Sequence, residues 1–404
     1  MNLLENSNHS LVYDLGTSTI QFGFAGSSLP LNKVPTCAAL ISEEDNDYQF
    51  GDEWLQRDYK TMIKAVPFVI DGEPSNQDPP PSDILTTFFD WAVFQANCEP
   101  SQTPVLVSQP SGLKIPAMLQ WRRQVLEILF DFASHPQVSL QHDATLACYS
   151  VCRDTALVID FGWSGIRVVP IYEGHPIKNA IKQHPLGGLS MTQMLDELLQ
   201  NNSKPIRTLI DTPLPCHFSS NYSTFDPNNQ HDESQILYCR RRVLDDMLQS
   251  RLYFGPPPKS YTIRDSIYYM AGHQPVDLQK ELQTVAKGVF ESNENSPSLQ
   301  TLVCQSLDSI PINLRSKFLN IVIAGGLSKA QGFKDEVMRC VSQILPKEEK
   351  ISIIPPVNNI ASGSLAVWVG GSIVASMDTF SEMCISQKEW SEEGVDHIIE
   401  KRCI

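Results

Sequence analysis

Basic residues are scarce in this chain. Across 404 residues, 31 Lys and Arg stand against 46 Asp and Glu, a formal net charge of −15. A surface this acidic repels phosphate backbones and anionic lipid, which counts against direct nucleic-acid or membrane binding. The one basic cluster, Arg240-Arg241-Arg242, is too short to reverse that. The ten cysteines show no CxxC spacing, and the tightest pair is Cys148 and Cys152. Such usage reads as reduced thiols inside a cell rather than a disulfide framework. Long apolar runs are missing too: Ser364–Ala375 is interrupted by Gly370 and Gly371 and is far too short to span a bilayer. Met1 to Ser10 is polar and lacks a secretory h-region. The expectation is a cytosolic or nuclear protein with two or three substantial cores, at roughly 150 residues per domain.

What the chain does have is an internal echo. Leu11-Val12-Tyr13-Asp14-Leu15-Gly16-Thr17-Ser18 matches Leu157-Val158-Ile159-Asp160-Phe161-Gly162-Trp163-Ser164 in pattern. Each copy is an apolar strand, then Asp-x-Gly-x-Ser, then more strand: Ile20–Ala25 in the first, Ile166–Tyr172 in the second. Glycine among polar residues between two β-rich runs predicts a hairpin. Two such hairpins predict two similar α/β halves. A third piece, Asn320-Ile321-Val322-Ile323-Ala324-Gly325-Gly326-Leu327-Ser328, reads as a buried strand feeding a Gly-Gly turn, with a helix over Gly332–Leu345 after it. Such a turn places backbone N–H groups where a ligand could lie, although an ordinary strand–helix turn has the same sequence.

Helical periodicity fills the intervals. Leu278, Leu282, Val285, Ala286, Val289 and Phe290 share one helical face, and Met118–Phe132 and Met191–Leu199 behave alike; all three read as core helices. Asp71–Ser82 and Asn201–Glu233, rich in Pro, Asn, Ser and Asp, read as surface loops, the second long enough to be an insertion or a docking element.

Taken together, these pieces resemble the actin superfamily of actin-related proteins. Asp14-Leu15-Gly16-Thr17-Ser18 followed by Phe22-Gly23-Phe24-Ala25-Gly26 is similar to the first phosphate loop of that family. Asp160-Phe161-Gly162 with Val169-Pro170-Ile171-Tyr172-Glu173-Gly174 is similar to the second, and Ala324-Gly325-Gly326 to the adenosine-binding turn. The ending carries the most specific likeness: Val367-Trp368-Val369-Gly370-Gly371-Ser372-Ile373, Thr379-Phe380, Ile385-Ser386 and Lys401-Arg402-Cys403. The resemblance implies an α/β, duplicated actin-like ATPase fold of two lobes with a central nucleotide cleft. The first lobe would comprise residues 1–155 and 346–404, with a small subdomain at 35–78. The second would comprise 156–345, with a divergent small subdomain near 190–270. It implies ATP or ADP with Mg²⁺, held by Asp14, Gly16, Thr17, Ser18, Asp160, Gly162, Ser164, Gly165, Gly325 and Gly326. Asp14 and Asp160 would act on the metal indirectly, through water.

Several positions depart from the family pattern. Gln21 stands where a lysine neutralises phosphate charge, Asp143 where a glutamine orients the attacking water, and Arg167 where a histidine lies near that water. Trp163 and Ser164 replace the aspartate and glycine of the second phosphate loop, and Ser364 replaces a lysine on the adenine side. Phosphoryl transfer depends on positioned water and on neutralising developing charge, so the expectation is no catalytic residue and no hydrolysis, with Arg167 restoring some positive charge. Trp163 either plugs the phosphate end of the cleft or packs on the hairpin.

Within the family, Pro170–Gly174, His184-Pro185-Leu186-Gly187-Gly188, Pro256-Pro257-Pro258 and Ser309–Arg315 are most similar to the dynactin pointed-end branch, actin-related protein 10. The loop that would contact a filament neighbour is short and acidic, Ile41-Ser42-Glu43-Glu44-Asp45-Asn46-Asp47. Burying its carboxylates unpaired would outweigh the gain from two or three aliphatic side chains at roughly 1.5–3 kcal/mol each. The opposite face, Thr379–Glu393 with Phe380, Met383, Ile385 and Trp390, keeps the family pattern. These features predict a non-catalytic cap on the pointed end of dynactin's short actin-related filament. It would serve dynein-based microtubule transport and nuclear positioning in the cytoplasm and cytoskeleton. Its partners would be filament subunits and other pointed-end proteins, without nucleic acid, membrane or self-polymerisation. The alternative is a nuclear actin-related subunit of a chromatin-remodelling complex, bound to a helix of the motor ATPase. A sugar kinase or true ATPase of this fold would need a carboxylate base beside its substrate, and the sequence offers no candidate.

Overall fold

The structure is a computed structural model. It describes residues 10–42, 47–51, 64–67, 69–70, 73–74, 81–202, 204, 233–256, 262–269, 275–291, 297–344, 351–356 and 363–402. Both expected hairpins are present, and each seeds a six-stranded sheet. In the first, strand Leu11–Leu15 pairs antiparallel with Thr19–Phe24 and parallel with Val105–Gln109. Gln137–His142 and the edge strands Asn32–Pro35 and Ile385–Ser386 complete that sheet. In the second, Ala156–Phe161 pairs antiparallel with Ile166–Tyr172 and parallel with Asn320–Ala324, which in turn pairs with Ser352–Ile353. His175–Pro176 and Lys182–His184 add to the far side.

The two hairpins correspond down to the register. Asp14 lies opposite Gln21 in the first, and Asp160 lies opposite Arg167 in the second. Apolar residues crowd the strands because parallel strands at a sheet centre are covered on both faces. Tyr13, Phe22, Phe88 and Phe89 stack edge-on beside the first sheet, where all four are fully buried. Beside the second, Phe161 stacks on Phe333, which in turn meets Phe254 edge-on. Helix Ala366–Ala375 crosses helix Asp143–Tyr149 at close quarters. A Cβ on Gly370 would sit 1.8 Å from the Leu146 carbonyl oxygen, which is why the apolar run carries glycines there.

The amphipathic stretches fold as read, with shifted ends. Gln279–Phe290 and Gly188–Asn201 are helices, and Phe333–Ile344 follows the Gly-Gly turn. The first expected helix starts earlier, at Ile115, and after Glu127 loosens into a π-helical turn over Ile128–Phe132. Of the expected loop at 71–82, Glu73–Pro74 form a short strand and Pro81 opens helix Pro81–Ala96. The acidic tip at 43–46 and nearly all of 201–233 lie outside the described residues. Among the described residues no helix is long and apolar enough to cross a membrane.

Candidate functional site

Strand ends from both sheets meet at one cleft of about 510 Å³, within the range typical of small-molecule sites. All ten residues expected to hold nucleotide line it: Asp14 to Ser18 without Leu15 from the first hairpin turn, Asp160, Gly162, Ser164 and Gly165 from the second, and Gly325 with Gly326. The turns are braced from within. Thr36 donates its hydroxyl to the Thr17 carbonyl at 2.6 Å, and Gly162 N–H donates to the Gly165 carbonyl at 2.9 Å. Gly325 has φ +89°, and a Cβ there would lie 2.3 Å from the Phe161 carbonyl oxygen; only glycine lets this strand end approach the second hairpin so closely.

The positions that depart from the family pattern touch one another. Arg167 sits at the cleft's centre, its Nη2 within 2.7 Å of Asp143 Oδ2 and also paired with Asp160, while its Nη1 donates to the Ser111 carbonyl at 3.0 Å. Asp143 Oδ1 accepts the Ser111 and Ala144 N–H groups at 2.9 and 2.7 Å. Burial favours the neutral acid, yet Arg167 and the Ser111 hydrogen bonds outweigh it and hold Asp143 below the usual carboxylate range. Burial likewise pushes Asp160 up. Gln21, buried, donates its side-chain amide to the Ser364 carbonyl at 2.7 Å, so the residues replacing two lysines are themselves bonded. Trp163 packs against Gly188 and under the Arg241 guanidinium, 4.5 Å from the ring centroid. Its ring thus packs on the start of helix Gly188–Asn201 and beside helix Glu233–Arg251 while also lining the cleft.

These residues do not fit a hydrated Mg²⁺. Asp160, expected to act on the metal, already shares a guanidinium with Asp143. Asp14 is pushed up to about 7 by burial, against a hydrogen bond from Ser108 Oγ at 3.0 Å. Among the described residues no group of His, Cys, Asp and Glu side chains is arranged to hold a metal ion. The cleft does suit an anion. Lys33 and Lys329, which the sequence reading did not single out, both line it, and burial lowers the pKa of each. The proximity of Lys33 lowers Lys329 further. Nothing in their local sequence marks them, because they converge only through the fold.

The C-terminal face differs from expectation. Phe380, Ile385 and Trp390 are buried in the first half's core, Trp390 stacked on Phe130 and donating its indole N–H to Asp131 at 2.7 Å. Of the four residues expected on that face, Met383 is the one exposed, at 46%, and Met377 nearby matches it.

The actin family profile matches residues 5–404. Actin-related protein 4 of Emericella nidulans is 25% identical to the chain, covering 98% of it and 96% of that protein. The SWI/SNF and RSC complexes subunit arp42 of Schizosaccharomyces pombe is 24% identical over 98% of this chain and 99% of its own length. Actin-related protein 4 of Arabidopsis thaliana is 24% identical over 76% of the chain and 73% of that protein. These relatives overturn the expectation of a dynactin pointed-end cap. The stretches offered for that branch, Pro170–Gly174 and Ser309–Arg315 among them, are short and discriminate poorly between branches. The filament and pointed-end partners, the cytoskeletal address and the microtubule role fall with it, while the remodelling alternative gains.

Proposed function

The chain belongs to the actin family, and on that premise we propose that it is a non-catalytic, nuclear actin-related subunit of a chromatin-remodelling complex, docked on a helix of the motor ATPase. The observation that carries this reading is end-to-end similarity to a protein named as a subunit of SWI/SNF and RSC complexes. The exposed Met377 and Met383 supply adaptable apolar contacts of the kind an amphipathic helix seeks. The two lobes, 1–155 with 346–404 and 156–345, belong to the same reading, although strand Ser352–Ile353 joins the second sheet.

The cleft holds ATP or ADP as a static brace. Gly16, Thr17, Ser18, Gly162, Ser164 and Gly165 approach the phosphates, Gly325 and Gly326 the adenosine, and Lys33 and Lys329 supply charge. Turnover is unsupported by these side chains: Asp143 is committed to Arg167 and Ser111, and Gln21, in the place of the lysine, is itself bonded to the Ser364 carbonyl. Purification of the tagged full-length protein from cells tests the assignment. Remodeller subunits including the motor ATPase should co-purify in constant ratio. Recovery with dynein-associated proteins instead, or multiple-turnover ATP hydrolysis by the pure protein, would overturn it.

A further inference from the structure

The central arginine ties together parts of both sheets. Arg167 belongs to the second, in register with Asp160. Its other partners, the Ser111 carbonyl and Asp143, follow strands Val105–Gln109 and Gln137–His142 of the first. One planar guanidinium thus satisfies a carboxylate on its own hairpin, a carboxylate where strand Gln137–His142 of the first sheet gives way to a helix packed on the second, and the Ser111 backbone oxygen. A fork of fixed donors is suited to this, and a lysine is not. The three side chains are largely shielded, with 21%, 12% and 14% of Arg167, Asp143 and Asp160 exposed, so solvent screens the contacts weakly. The cation sits against Asp160, one of the two carboxylates expected to act on a metal, and it is covalently part of the chain.

We infer that Arg167 is an internal clasp: it holds the two halves closed across the cleft without nucleotide, and any nucleotide bound there is bound without a divalent metal. Metal-free nucleotide binding rests on the static-site reading above, whereas the clasp itself does not. The clasp converts closure from a ligand-dependent event into a fixed property, which suits a subunit that works as a rigid part.

Hydrogen exchange on the full-length protein, in chelator and without nucleotide, tests the clasp. The wild-type chain should protect the amides of Ser111, Gly112 and residues 160–167, and Arg167→Gln should exchange there at least about tenfold faster, while the core strands Val105–Val107 and Ile321–Ile323 stay unchanged. Asp143→Asn is the second variant, since it removes the carboxylate at the end of a first-sheet strand and leaves Arg167 and Asp160 paired; it should open the same segments less. Equal exchange in wild type and both variants would refute the clasp. Calorimetry with ATP in chelator and in Mg²⁺ is the separate arm. Affinities within about twofold are expected for wild type, whereas a requirement for Mg²⁺ would overturn metal-free binding. Loss of protection in the variants with no ATP binding by any form would retain the clasp and remove the static-nucleotide reading.

Discussion

Gln21 reaches Ser364 across the cleft wall, its side-chain N–H donating to the Ser364 carbonyl at 2.7 Å. Gln21 Oε1 is buried and makes no hydrogen bond among the described residues, and the residue lies opposite Asp14 in the hairpin register. Gln21→Glu would remove the donor, face an oxygen with an oxygen and bury an unpaired carboxylate beside Asp14. A loss of about 2–4 kcal/mol is expected from urea denaturation midpoints. Gln21→Met, of similar volume, should cost less than about 1.5 kcal/mol because the unpartnered Oε1 disappears along with the bond. Equal losses in the two variants would mean that the polar contact does not set the stability here.

Trp163 and Gly188 supply a second test. A Cβ on Gly188 would lie 2.3 Å from Trp163 Cε3, so Gly188→Ala must displace the indole or the start of helix Gly188–Asn201. Trp163→Ala should destabilise by about 3–5 kcal/mol, as expected for a large buried aromatic. Because the two residues share one contact, the double variant should be far less damaged than the sum of the singles. Additive losses in a thermal or chemical denaturation cycle would show that the ring moves freely.

Much of this was legible in the sequence, for identifiable reasons. The Asp-x-Gly-x-Ser echo found both hairpins because a two-strand unit with a short turn is a local signal. Asp143, Arg167, Gln21 and Ser364 stood out singly as departures. That each meets another, Arg167 with Asp143 and Gln21 with Ser364, depends on contacts between segments far apart in the chain. Phe380, Ile385 and Trp390 read as a face because their pattern matches, yet a 3-10 turn, the edge strand Ile385–Ser386 and helix Gln387–Glu393 respectively carry those side chains into the core. Sequence spacing shows which residues align; it does not show which side of each short element is covered.

The outward methionines can be probed without disturbing that core. Met377→Asp with Met383→Asp removes apolar surface at positions already 46% exposed, so folding stability should change by less than about 1 kcal/mol. Recovery of the motor ATPase in pull-downs of the double variant should fall at least about tenfold if those side chains contact its helix. Undiminished recovery would move the docking surface elsewhere.

The last expectation concerns pH and follows from Asp14. Burial pushes its pKa from 3.8 up to about 7, so between those values the folded chain keeps a proton that the unfolded chain has released. Folding stability from this group is therefore fully present below pH 4 and lost as the pH rises towards 7, at up to about 1.4 kcal/mol per pH unit. His142 works in the opposite direction. Burial lowers it from 6.5 to about 4, so its contribution is lost as the pH falls through that window. The wild-type profile mixes both slopes, and Asp14→Asn separates them by mimicking the protonated acid at every pH. The stability of Asp14→Asn relative to wild type should climb between pH 4 and 7 and level off above, with the His142 slope cancelling in the difference. Denaturation midpoints at half-unit intervals would reveal this, and a flat difference would mean that Asp14 ionises in the folded cleft as readily as in the unfolded chain.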